Sequence, residues 1–126
     1  MSMNRVVLTG RMTADPEMRQ TSSGKSVVSF SIAVKKRLRP REGEPDSDFL
    51  RITAWGSSAQ YVQNYLGKGR LIACDGRLET RKWQDQSGTN RETVEIVVDN
   101  IYALDRSEYR DLNKGADEKD PFEESA

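Results

Sequence analysis

Residues 48–56 read Asp48-Phe49-Leu50-Arg51-Ile52-Thr53-Ala54-Trp55-Gly56, and their alternation decides how the chain is organised. In a β-strand successive side chains point to opposite sides. Leu50, Ile52 and Ala54 therefore share an apolar face suited to a core, while Phe49, Arg51, Thr53 and Trp55 share the other. That second face sets two large aromatics around an arginine, an unusual thing to leave facing water. Aromatics interleaved with cations suit a surface that stacks bases and neutralises phosphates.

Working outward, residues 26–35 alternate more cleanly still. Val28, Phe30, Ile32 and Val34 face in; Ser29, Ser31 and Lys35 face out. Residues 4–12 set Val6, Leu8 and Met12 against Arg5, Val7, Thr9 and Arg11, with turns at Asp15-Pro16 and Ser22-Ser23-Gly24. Residues 36–47 read as a polar loop. Beyond Trp55 a short helix is expected: Ser57 or Ser58 as its cap, Ala59, Val62 and Leu66 as its apolar stripe, Gly67 as its end. Residues 70–83 form a long strand with a bulge or coil at Gly76. A hairpin tip over 84–90 turns at Ser87-Gly88, and residues 93–104 return with Val94, Ile96 and Val98 on one face.

Three strands, one helix and two strands, closely spaced, predict a small closed or nearly closed antiparallel barrel. The fold class expected is all-β: a five-stranded OB-fold barrel with one short helix between its third and fourth strands, plus a disordered acidic C-terminal tail. The domain is expected over residues 1–104 and the tail over 105–126.

Composition narrows the chemistry. The 126 residues carry 20 Lys/Arg and 20 Asp/Glu, for a net charge of zero, but the average conceals a split. Residues 1–104 hold 16 cations against 12 anions, a balance of +4, and the tail holds 4 against 8, a balance of −4. With no histidine and one cysteine, a zinc finger, zinc ribbon or disulfide framework is excluded. Cys74 lies in the apolar run Leu71-Ile72-Ala73-Cys74 and reads as a buried structural thiol. Without histidine or convergent carboxylates on the strand faces, no catalytic site, metal or cofactor is expected. No stretch is long enough to span a bilayer, and the first strand begins too early to leave room for a leader, so a soluble cytoplasmic protein is expected.

Two further stretches carry chemistry. Residues 35–41, Lys-Lys-Arg-Leu-Arg-Pro-Arg, hold five cations in seven positions, and residues 42–48 then hold four carboxylates. Two readings stand for this loop: a solvated tip with compensating charges, or an arm whose cations clasp a phosphate backbone and release counterions. Magnesium at Asp46-Ser47-Asp48 is disfavoured, because no further ligands lie nearby. Trp83 sits at the base of the second long hairpin and shares strand parity with Arg77 and Arg81. Tyr61, Tyr65 and Tyr102 read as packing residues. For Arg5 and Arg11, parity leaves open a ligand-binding face or an edge that pairs with another chain.

Asn4-Arg5-Val6-Val7-Leu8-Thr9-Gly10-Arg11 followed by Asp15-Pro16-Glu17-Met18-Arg19 resembles the opening of the bacterial single-stranded DNA-binding proteins, the SSB family. Residues 48–56, Tyr65-Leu66-Gly67-Lys68-Gly69, Asp75-Gly76-Arg77-Leu78 and residues 80–88 resemble later landmarks of that family in the same order. The resemblance implies an OB-fold, a homotetramer and single-stranded DNA as partner. It places Phe49, Trp55 and Trp83 at base-stacking positions, Arg51, Arg81 and Lys82 at flanking cationic ones, and Lys35, Lys36 and Arg37 at the entry to a loop that extends the DNA path. Where many members carry another aromatic early in that loop, this chain has Leu38 amid basic residues.

The resemblance also implies an acidic tip for replication and repair proteins, here Asp120-Pro121-Phe122, although Glu123-Glu124-Ser125-Ala126 follow the ring. Docking of Phe122 in a partner pocket and a merely solubilising tail both remain open. For function, the reading is sequence-independent binding and protection of single strands in replication, recombination and repair. The alternative is an OB-fold scaffold, of primosomal or DNA-uptake type, whose main role is protein recruitment.

Overall fold

A computed structural model describes residues 1–105. The elements, in order, are β1 (Val6–Met12), β2 (Glu17–Gln20), β3 (Ser26–Lys35), β4 (Ser47–Trp55), α1 (Gly56–Tyr65), β5 (Leu71–Gln84) and β6 (Asn90–Ala103). The strands follow the order β1-β5-β6-β4-β3-β2, and β1 also pairs with β3 through Arg11↔Ala33 and Met12↔Ile32. That last pairing closes a ring of five strands.

The sequence reading missed β2, because Glu-Met-Arg-Gln shows only one apolar residue and no alternation. It continues the line of β1 beyond the turn at Asp15-Pro16, pairing with the first half of β3. The five-stranded count thus holds, with the first strand in two pieces. The expected antiparallel ring needs one correction: β4 and β6 pair parallel, over Ile52↔Ile96 and Thr53↔Val97. The α1 crossover followed by the β5–β6 hairpin leaves β6 running in the direction of β4, so this closure cannot be antiparallel.

Inward residues of every strand meet in one core. Ile32, Ile52 and Ile72 are fully buried, as is Val28, and Met12 and Phe30 are nearly so. Each such side chain contributes about 1.5–3 kcal/mol relative to exposure. α1 packs against this core through Ala59, Val62 and Leu66, the expected stripe.

Its ends differ from expectation. Ser57 and Ser58 lie inside the helix, and Trp55 is the N-cap residue with no side-chain cap bond. Gly56, at φ 60°, turns the chain straight from strand into helix. At the other end Leu66 is extended and its N–H donates to the Val62 carbonyl, so the helix stops before Gly67. Asp15 then ties the turn after β1 to the α1–β5 link, its carboxylate accepting the Lys68 N–H at 2.9 Å.

The irregularity expected at Gly76 is a register shift between β5 and β6 at Asp75/Gly76, with Asp99 the extra residue between Val98 and Asn100. A Cβ at Gly76 would strike the Val97 carbonyl and lie 2.7 Å from the Val98 Cα, so only glycine lets the strands approach this closely. Cys74 is buried, as expected. The acidic segment containing Asp120, Pro121 and Phe122 lies outside the described residues.

Candidate nucleic-acid interface

Register determines which side chains share the outward face. Thr53 of β4 lies opposite Val97 of β6, and Val97 lies opposite Arg77 of β5. Stepping by two places Phe49, Arg51 and Trp55 of β4 on one surface with Glu79, Arg81 and Trp83 of β5 and with Arg91, Thr93 and Glu95 of β6. From Thr53 to Phe49, and from Arg77 to Trp83, both strands run toward the same end of the barrel. The loop between β3 and β4 and the β5–β6 hairpin therefore rise from one end, with Phe49 and Arg51 between their bases.

The three aromatics singled out in the sequence are all accessible: Phe49 is 65 % exposed, Trp83 45 % and Trp55 43 %. Phe49 and Arg51 face small neighbours on β3, Ala33 and Ser31, while the β4–β6 pairing stops at Ile52. Thr53 breaks the expected pattern: it is 4 % exposed. It sits where β4 is paired on both sides, with Ser29 and Val97, and neighbours cover it. Trp55 ends β4 at the junction with α1. Trp83 is held by its indole N–H, which donates to Thr93 Oγ1 at 2.8 Å and fixes the ring's setting.

The cations divide into two kinds. Among the described residues, Lys35, Arg37, Arg51, Arg81 and Lys82 make no hydrogen bond or ion pair through their side chains. Lys82 lies on the opposite face of β5 from Arg81 and Trp83. Lys36 is engaged: its ammonium donates to Asp48 at 2.6 Å, and its backbone N–H donates to the Asp46 carbonyl at the hairpin base. Arg77 is also occupied, by Glu79 at 2.6 Å and Asp99 at 3.5 Å.

The hairpin tip is more ordered than its polar sequence suggests. Asp85 Oδ1 accepts the N–H groups of Ser87 and Thr89, each at 3.0 Å, and the Ser87 hydroxyl at 2.6 Å. Its Oδ2 accepts Arg91 Nε at 3.0 Å. The Ser87 hydroxyl first, then Arg91 and the Thr89 N–H, hold the Asp85 carboxyl below its ordinary range. Sequence reasoning passed over Arg91, Glu79 and Glu95, although the parity that set Val94, Ile96 and Val98 on one face also sets Glu95 and Arg91 on the other; of the three, Val94 is itself exposed. Among the described residues, no group of three or more His, Cys, Asp or Glu is arranged to hold a metal ion.

Comparison with known proteins identifies the family. The model of the Single-strand binding protein family matches residues 3–104. Single-stranded DNA-binding protein 3 of Clostridium acetobutylicum is 41% identical over 104 residues, spanning 82% of this chain and 72% of that one. A single-stranded DNA-binding protein of Staphylococcus aureus is 39% identical over 112 residues, 89% of this chain and 72% of its own. Among solved structures, the Plasmodium falciparum SSB complex with ssDNA superposes with a TM-score of 0.74 at 28% identity, covering 83% of this chain and 97% of that chain. With the family model matching residues 3–104 and these relatives sharing most of the chain, the chain belongs to the Single-strand binding protein family.

Proposed function

We infer that this protein binds single-stranded DNA without sequence preference. The observation carrying the reading is one outward face that combines three exposed aromatics with cations left unpaired among the described residues. Every base has a π-face, so stacking on Phe49, Trp55 and Trp83 is indifferent to sequence, and a duplex hides those faces. Arg51, Arg81, Lys82, Lys35 and Arg37 supply the phosphate contacts, whose strength falls with salt as counterions are released less favourably. Lys36 joins them by exchanging Asp48 for a phosphate. The activity is binding, with no bond made or broken. Its setting is the bacterial cytoplasm and nucleoid, where exposed strands arise in replication, recombination and repair.

The reading extends to assembly. Between Val6 and Gly10, β1 pairs with β5 alone, which leaves its other edge open. Val7 and Tyr102 sit outward on the same three-strand surface, 72 % and 44 % exposed. A homotetramer covers such a surface and lets several barrels share one strand, raising avidity beyond what a body of +4 achieves alone. Residues 1–104 are the binding domain in this reading. Residues 105–126 recruit replication and repair proteins through Asp120, Pro121 and Phe122. Loss of partner capture in Phe122→Ala checks that last part, and sedimentation at four chain masses checks the assembly.

The direct test is tryptophan fluorescence during titration with oligo-dT at low and high salt, with duplex DNA as control. Trp55 and Trp83 are the only tryptophans. Quenching by oligo-dT and not by duplex supports the reading. Unchanged emission without binding refutes it.

A further inference from the structure

We propose that Arg91 is a phosphate-contacting residue at the β5–β6 hairpin and that Asp85 is its positioning residue. This rests on the single-strand-binding reading above and adds a built contact to it. Register sets Arg91 directly opposite Trp83, and Thr93, which fixes the Trp83 ring, is the next outward residue on β6. An open depression of 510 Å³ wraps the hairpin here, lined by Trp83 and Arg91 of this face and by Lys82, Gln84, Asn90 and Glu92 of the other.

The way Arg91 is held sets it apart from Arg77 and Arg5. Arg77 and Arg5 each face two carboxylates. Arg91 meets one, through Nε alone, and its four terminal N–H donors make no hydrogen bond among the described residues. Those donors form the fork that grips a phosphate through two parallel bonds. Asp85 spends its other oxygen on three donors of the turn, so its charge is shared and its carboxylate stands rigid. With Arg91 58 % exposed, the ion pair contributes little stability. What it supplies is aim: a guanidinium fixed beside a stacking ring before the strand arrives.

The test uses the full chain and the anisotropy of labelled oligo-dT across a salt series, with thermal unfolding as a check on folding. Arg91→Gln is expected to weaken binding about tenfold, as for a lost charge-assisted bond pair, and to flatten the log–log salt slope by about 0.7. Arg91→Lys keeps the slope but loses severalfold in affinity, because a point charge cannot form the fork. Asp85→Asn keeps an Oδ1 acceptor for the turn but removes the acceptor for Nε. It is expected to weaken binding in the parent protein and to change nothing further in the Arg91→Gln background. Parent-like affinity and slope in Arg91→Gln would overturn the contact. An equal Asp85→Asn effect in both backgrounds would overturn the positioning role and assign Asp85 to the turn. If the parent protein does not bind oligo-dT, the broader reading fails and this one with it.

Discussion

The base of the barrel and its two-armed face both carry arginines, and the two regions use them in opposite ways. At the base, where β1 ends, Arg11 meets Asp105 at 3.1 Å and the Gly69 carbonyl, while at the other end of β1 Arg5 bridges Asp75 and Asp99. Arg70, 6 % exposed, binds Asp105 through Nε at 2.9 Å and donates to the Tyr65 and Asp105 carbonyls. On the armed face Arg51 and Arg81 have no such partner among the described residues, nor do Lys35, Arg37 and Lys82. The aromatics divide likewise: Tyr61 and Tyr65 lie with their rings 5.5 Å apart beside the core, whereas Phe49, Trp55 and Trp83 stand exposed. At the base, a cation matched by a carboxylate belongs to the architecture. One left unmatched is available to a ligand that brings its own negative charge.

If that division is real, substitutions in the two regions change different observables. The largest effect is expected at the base: Arg70→Ala should cost about 3 kcal/mol of stability, toward the lower end for a broken buried pair because Asp105 is partly exposed. Urea unfolding measures it, while the folded fraction should bind oligo-dT as before. Lost affinity at unchanged stability would merge the two regions. On the armed face, Phe49→Ala, Trp55→Ala or Trp83→Ala should each cost about 1–3 kcal/mol of affinity, the range known for single-strand-binding proteins of this type. Their thermal midpoints should barely move.

Salt sharpens the comparison within a single strand. Arg81→Gln should flatten the salt slope by about 0.7. Arg77→Gln, four residues away on the same face but matched by Glu79 and Asp99, should leave it unchanged. A thiol probe reports on the core between the two regions. Burial, and then the neighbouring charge of Asp75, push the Cys74 thiol up to about 11, so near pH 8 it should resist alkylation until the protein unfolds. Stoichiometric labelling of the native state would contradict that.

The smallest effect concerns Asp85. Its carboxyl titrates lower in the folded protein than in the unfolded chain. Its contribution to hairpin order is therefore present above the unfolded value and lost as pH falls through the folded one. The Ser87 and Thr89 amide resonances should titrate below the ordinary carboxylate range.

Much of this was legible in the sequence because alternation is local. The bounds of β3 and the inward face of β4 follow from period two alone, and so does the sharing of a face by Phe49, Arg51 and Trp55. Thr53 shares that face as expected, but its burial was not legible because it depends on pairing with both Ser29 and Val97, and the second partner lies more than forty residues along the chain. The helix start was misjudged because Gly56 turns the strand directly into α1, leaving the serines no capping role. Ion pairing was the least legible property. Arg70 finds Asp105 only after β5 and β6 have brought residues 35 positions apart together. Lys36 and Asp48, by contrast, face each other across one hairpin base, and the loop's alternating blocks of charge already hinted at such compensation.

On this reading the exposed aromatics of the armed face stack bases, while the remaining aromatics among the described residues serve packing. Photocrosslinking with oligo-dT carrying 5-iodouracil, followed by peptide mapping, tests it most directly. Crosslinks at Phe49, Trp55 and Trp83, abolished by excess unlabelled single strand, are the expected result. Crosslinks confined to Tyr61, Tyr65 or Tyr102, with none on those three residues, would contradict it and place the strand on the face assigned here to architecture.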